Sequence, residues 1–93
     1  MTEADEGRAS PDAVPAWTVI TRLDCPLCES FAAALVDWEQ GRGRFRLEVV
    51  NVDSSPSLVE RYGMRVPLLL ADQYEICAFR FRASLAAAAL ALP

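Results

Sequence analysis

Apolar residues recur along this chain with two periods, one typical of strands and one typical of helices. Residues 17–22 are rich in β-branched side chains and predict a strand. After Cys25 the apolar positions follow helical spacing, and they are Leu27, Phe31, Ala34, Leu35 and Trp38. Pro26 suits the first helical position because its missing N–H would have no partner there. Gly41 and Gly43 are predicted to end this helix.

Residues 45–52 predict a second strand. This strand is apolar on both faces towards its end, as expected for a strand next to a crossover helix. Ser55 directly before Pro56 is a helix-start signal, and the short helix that follows is predicted to stop at Gly63.

The last third of the chain predicts a hairpin and a closing helix. Residues 66–70 and 74–79 are predicted strands with a tight turn between them, and the final helix covers about residues 82–92. The order is therefore β-α-β-α-β-β-α. A strand-helix-strand opening implies a right-handed parallel crossover, whereas the hairpin adds antiparallel strands. The pattern predicts an α/β fold with a four-stranded mixed sheet and helices on both faces.

The length of 93 residues fits a single domain. Residues 1–15 hold prolines and several acids without periodicity, so we expect a disordered tail there and one domain over residues 16–93. The acidic N-terminus does not resemble a secretory signal. The sequence has no stretch of about 18 apolar residues, which is the length needed to span a membrane. We therefore expect a cytoplasmic protein.

The composition excludes several kinds of chemistry. The chain has no histidine, which excludes Ser-His and Cys-His catalysis and histidine metal sites. All nine basic residues are arginine, so a Schiff-base lysine and a P-loop are excluded as well. An isoelectric point near 4.6 argues against nucleic acid or an anionic membrane as a partner.

The chemistry is concentrated at Cys25 and Cys28, which are separated by two residues where a strand leads into a helix. A free thiol is only about 3% thiolate at pH 7, whereas unpaired N–H groups at a helix N-terminus stabilise the anion. Cys25 is therefore the predicted nucleophile. Cys28 lies one turn along the same face, from which it could attack a mixed disulfide and release the substrate.

Charged neighbours act on this pair in opposite directions. Arg22 precedes Cys25 by three residues, where it could favour the thiolate or bind an anionic thiol, or could simply be a solvated strand end. Asp24 and Glu29 would disfavour the thiolate.

The cysteine pair could instead have either of two structural roles. A structural zinc site needs about four ligands, and only Cys77 remains to add to the pair. The two cysteines could also be inert thiols on a packed helix. Cys77 itself lies within a predicted strand, so we expect it to fill the core as a small apolar residue.

The chain resembles the glutaredoxin-like branch of the thioredoxin superfamily, and is most similar to small stand-alone bacterial glutaredoxin-like proteins. The resemblance extends from about residue 17 to residue 81. The residues that carry it are Arg22-Leu23-Asp24-Cys25-Pro26-Leu27-Cys28, Asn51-Val52-Asp53 and Arg61-Tyr62-Gly63-Met64-Arg65-Val66-Pro67.

The resemblance implies a thioredoxin-like fold and a cis peptide bond between Val66 and Pro67. It also implies that Pro67 faces the cysteine pair and that the backbone of Val66 holds the substrate chain. We expect no built-in cofactor, and glutathione or another low-molecular-weight thiol could serve as the reductant.

Two positions and one turn depart from the family pattern. Leu27 stands where many glutaredoxins have tyrosine, and Arg65 stands where they have threonine. The Gly-Gly turn that helps to bind glutathione is absent, and residues 77–80 occupy its region. Arg65 or Arg80 could bind a carboxylate there.

The first hypothesis is a monomeric thiol-disulfide oxidoreductase with Cys25 and Cys28 as catalytic residues and Arg22, Val66 and Pro67 as substrate-binding residues. Its partners would be a disulfide-containing protein or a small thiol. A redox-inactive binding module with the same fold is the alternative. The third hypothesis is an iron-containing cluster held between two chains by Cys25 and a small thiol.

Overall fold

The computed structural model describes residues 14–91, and its elements follow in the predicted order. The strands are β1 (Ala16–Thr21), β2 (Arg46–Asn51), β3 (Leu68–Ala71) and β4 (Tyr74–Ala78). The helices are α1 (Pro26–Glu39), α2 (Pro56–Tyr62) and α3 (Ala83–Leu90), and a 3-10 turn (Val52–Ser54) joins β2 to α2. Residues 1–13 of the predicted tail and residue 92 of the predicted last helix lie outside the described residues.

The four strands form one mixed sheet in the order β2-β1-β3-β4. β1 and β2 run parallel, with α1 as the crossover between them, and β1 pairs antiparallel with β3. The hairpin of β3 and β4 completes the sheet. The predicted α/β architecture with a four-stranded mixed sheet is confirmed.

Apolar side chains cover the sheet on both faces, as predicted. On one face Trp17 and Val19 of β1 pack with Phe31 and Leu35 of α1, and Ala86 of α3 joins them. On the other face the 3-10 turn and α2 cover the sheet through a smaller cluster, whose members include Ile20, Val52, Leu68, Leu58 and Tyr62. Adjacent residues of β1 therefore enter different cores, as the alternation of side chains along a strand requires.

The faces of β2 are less covered than its predicted apolar pattern suggests. It is an edge strand of the sheet, and Val49 in its middle is 65% exposed. Its apolar residues Leu47, Val49 and Val50 fit an interior parallel strand equally well, because hydrophobicity alone does not reveal strand order.

The end of α1 also differs from the prediction. Gln40, and not Gly41 or Gly43, takes the left-handed cap position, with φ of 53° and its N–H bonded to the carbonyl of Val36. The carboxylate of Glu39 accepts hydrogen bonds from the N–H and the guanidinium of Arg44, which fixes the turn directly after the helix. These contacts offset the ~1 kcal/mol that a non-glycine residue costs in this conformation.

The start of β3 was predicted two residues too early. Pro67 has no N–H to donate to a strand ladder, so the paired strand begins at Leu68 and not at Val66.

Two neighbouring residues of α1 provide a test of this packing. Leu35 is 1% exposed within the larger core, whereas Val36 is 64% exposed. Leu35→Ala should lower the free energy of unfolding by about 2–5 kcal/mol, because it leaves a cavity in the core. Val36→Ala should change it by no more than about 0.5 kcal/mol.

Urea denaturation of both variants in the same oxidation state measures the two values. Equal effects of the two substitutions would contradict the assignment of the core face of α1.

Candidate functional site

The two cysteines lie at the end of the sheet where β1 finishes and α1 begins. Pro67 lies at the same end of the sheet. The antiparallel register pairs Ile20 with Leu68, and it therefore brings Pro67 next to Thr21. The Val66–Pro67 peptide bond is cis. The sequence motif around the cysteines and the distant Val-Pro pair are thus brought to one end of the molecule.

Cys25 is the N-cap of α1, with extended backbone angles of φ −121° and ψ 98°. Its sulfur accepts a hydrogen bond from the N–H of Cys28 at 3.1 Å, and its carbonyl accepts one from the N–H of Glu29 at 3.0 Å. Pro26 at the first helical position has no N–H to satisfy. The sequence therefore places a sulfur where a serine or aspartate oxygen would normally cap a helix.

Cys25 and Cys28 are joined by a disulfide bond, and their Cα atoms are 5.1 Å apart. The two sulfurs differ in their access to solvent, because Cys25 is half-buried whereas Cys28 is buried. A molecule approaching from outside therefore meets Cys25 first. An accessible sulfur at a helix N-terminus with a second sulfur behind it is the arrangement that dithiol exchange requires.

Arg22 is held by partners that the sequence did not reveal. Its guanidinium makes two hydrogen bonds to the carboxylate of Asp53, at 3.0 and 3.3 Å, and a third to the carbonyl of Gly63 at 3.3 Å. Asp53 is 31 residues away in the sequence. Arg22 thus ties the end of β1 to the turn after β2 and to the end of α2, from which the chain leads to Pro67.

Arg65 is paired in a similar way, with Nε at 3.1 Å from the carboxylate of Glu75 and a second bond to its other oxygen. Its guanidinium also lies 5.7 Å from the centre of the Phe79 ring. Phe79 follows β4, and its N–H donates to the carbonyl of Pro67 at 2.8 Å. Phe79 has a φ of 71°, so an aromatic residue takes a backbone conformation that glycine would adopt more easily.

Asp53, Glu75 and Phe79 are the residues of the site that the sequence interpretation missed. Asp53 belongs to the segment that carries the family resemblance, but nothing in the pattern linked it to Arg22. A carboxylate that follows the neighbouring strand carries no local signal of its pairing with an arginine.

Cys77 lies in β4, packed in the larger core and away from solvent, as predicted. Burial raises the pKa of its thiol, and the hydrogen bond and charge of Arg82 offset only part of that effect. Within residues 14–91 no group of three or more cysteine, aspartate or glutamate side chains is placed to hold a metal ion. None of the helices in that range is long and apolar enough to cross a membrane.

Comparison with known proteins gives a family and two similar structures. The family described as "Glutaredoxin-like domain (DUF836)" matches residues 17–91. The solution structure of protein Ne2328 from Nitrosomonas europaea is 29% identical, with a TM-score of 0.72 over 98% of this chain and 100% of that one. The crystal structure of protein XcR50 from X. campestris is 32% identical, with a TM-score of 0.61 over 83% of this chain and 99% of that one. No curated protein matches the chain significantly.

The three cysteines should differ sharply in their reactivity with iodoacetamide. In the reduced, folded protein at pH 7, we expect Cys25 to be alkylated first and Cys77 to stay unmodified. Burial hinders access to Cys77 and, by raising its pKa, keeps the thiol protonated until the pH is higher. Peptide mass spectrometry after timed labelling measures each site.

Unfolding in guanidinium chloride should expose Cys77 to labelling, and Cys77→Ser should remove only this late modification. Native labelling of Cys77 as fast as a free cysteine would contradict its place in the core.

Proposed function

The chain belongs to the glutaredoxin-like domain family and has a thioredoxin-like fold, and we propose that it is a thiol-disulfide oxidoreductase. In this proposal Cys25 is the nucleophile and Cys28 is the resolving cysteine. The observation that carries the proposal is the N-cap position of Cys25, whose sulfur accepts the N–H of Cys28. Family membership makes a redox role plausible, and this geometry gives each cysteine a distinct part in it.

The reaction begins with the reduced pair. The Cys25 thiolate attacks one sulfur of a substrate disulfide, which forms a mixed disulfide and releases the other substrate sulfur as a thiolate that takes up a proton. Cys28 then loses its proton and attacks the Cys25 sulfur, which closes the intramolecular disulfide and releases the second substrate thiol. Two electrons have passed from the protein to the substrate, and an external thiol must return them.

The N-terminus of α1 favours the first step. The amide of Cys28 points at the Cys25 sulfur, and the partial positive charge of the helix end stabilises negative charge there. Burial of Cys28 supports its role as the second nucleophile, because a substrate cannot reach it directly but the Cys25 sulfur can.

The remaining assignments extend this proposal. The substrate is a disulfide-containing protein or a small thiol, and the backbone of Val66 beside Pro67 holds its chain. Arg22 acts by fixing the segments that meet at the site. The protein works as a cytoplasmic monomer, and glutathione or another low-molecular-weight thiol restores the dithiol.

Single-turnover reduction of a peptide disulfide tests the two cysteine roles. The reduced protein, freed of excess reductant, should reduce about one equivalent of peptide. Cys28→Ser should stop at a mixed disulfide between Cys25 and the peptide, visible as an added mass. Cys25→Ser should leave the peptide disulfide intact over the same period, because the remaining Cys28 is buried and the peptide cannot reach it directly.

Cys77→Ser is the matched control and should behave like the unsubstituted protein. Equal rates for Cys25→Ser and the unsubstituted protein would overturn the proposed nucleophile. A folded, reduced protein that transfers no electrons to any disulfide would favour the binding module instead.

A further inference from the structure

A cleft of about 320 Å³ opens beside the cysteine pair, between the first turns of α1 and the segment that follows β4. Its lining residues are Leu27, Ser30, Phe31, Phe79, Arg80 and Phe81. Leu27 is directly before Cys28 in the chain, so the cleft opens next to the segment that carries the disulfide, although neither cysteine lines it. Four of the six lining side chains are apolar, and the volume suits one apolar side chain of a bound molecule.

Exposed apolar residues surround this end of the protein. Leu23, Leu27, Met64 and Phe79 are all large and exposed, and Met64 is 92% exposed. Arg22, which precedes Leu23, donates to the carbonyl of Gly63, which precedes Met64. The N–H of Phe79 donates to the carbonyl of Pro67, and Phe79 and Leu27 both line the cleft. A single exposed apolar residue is ordinary, but four on the segments around one reactive pair form an apolar rim.

Apart from Arg80, the charges at this end do not favour an anionic substrate. The guanidinium groups of Arg22 and Arg65 are each paired with a carboxylate. Asp24 and Glu29, on either side of the cysteine pair, are exposed and have no ion-pair partner among residues 14–91. Arg80 is the cation in the cleft that lacks such a partner within those residues.

We propose that the substrates are polypeptide disulfides in which an apolar residue lies next to the cysteine, with that side chain bound in the cleft between Leu27 and Phe79. This inference rests on the proposed oxidoreductase function. Glutathione disulfide is then a poor substrate, because it offers the cleft no apolar side chain and brings carboxylates towards Asp24 and Glu29. The chemical step is the same exchange at Cys25.

Two peptide disulfides that differ only by Leu or Ser beside the cysteine test the cleft, with glutathione disulfide as the third substrate. We expect kcat/KM to be about ten-fold higher for the Leu peptide than for the Ser peptide. Partial burial of a leucine side chain in the transition state accounts for about one factor of ten in rate. Leu27→Ser should remove this preference. Val36→Ser, a change of an exposed residue further along α1 and outside the cleft, should keep it.

A second pair of variants tests the charges. Asp53→Asn releases Arg22 and should raise the ratio of the glutathione disulfide rate to the Leu peptide rate several-fold. Asp72→Asn changes the net charge equally but lies in the hairpin turn at the opposite end of the sheet. It should not alter the ratio of the two rates.

A higher kcat/KM for glutathione disulfide than for the Leu peptide, lowered by Arg80→Gln, would overturn this inference and identify an anion site. Equal rates for the Leu and Ser peptides would overturn it as well, while the oxidoreductase function would stand. If no disulfide of the three is reduced, the oxidoreductase function itself fails.

Discussion

The hydrogen bond from the Cys28 amide to the Cys25 sulfur is the interaction on which the site depends. It exists because α1 begins at Pro26, which leaves Cys25 in the extended cap position with its sulfur turned back over the first turn. A helix that began one residue earlier would take Cys25 into its first turn and leave the amide without this acceptor. The position of the helix start therefore decides where the Cys25 sulfur, the proposed nucleophile, lies.

The two cores hold that helix start in place from a distance. Phe31 and Leu35 of α1 pack in the core on one face of the sheet. Ile20, near the end of β1 that leads to Cys25, packs in the core on the other face. The contacts of Arg22 with Asp53 and Gly63 then join the loop before Cys25 to the segments from the second face. The arginine therefore adds polar contacts between β1, the 3-10 turn and α2, which also share the smaller core through Ile20, Val52 and Tyr62.

Helix starts and caps could be predicted from the sequence, because they depend on residues that are close together in the chain. The cap at Ser55 before Pro56 is present, with the Ser55 hydroxyl accepting the N–H of Leu58, and the start of α1 at Pro26 needed no more than its neighbours. Strand order could not be found this way, because the sequence of β2 is typical of an interior strand although β2 lies at the edge. The partner of Arg22 could not be found either, since an ion pair between residues 31 apart depends on the finished fold.

The pairing of arginines has two effects that oppose each other. Each ion pair fixes a segment of the site, but it also removes a positive charge that could have stabilised a thiolate or attracted an anion. In the proposed mechanism, stabilisation of the Cys25 thiolate is then left to the amides of α1, whose effect is confined to the first turn. Under the proposed function, a site built in this way would select its substrate by contact and not by long-range attraction, and the exposed apolar residues around Cys25 would supply that contact.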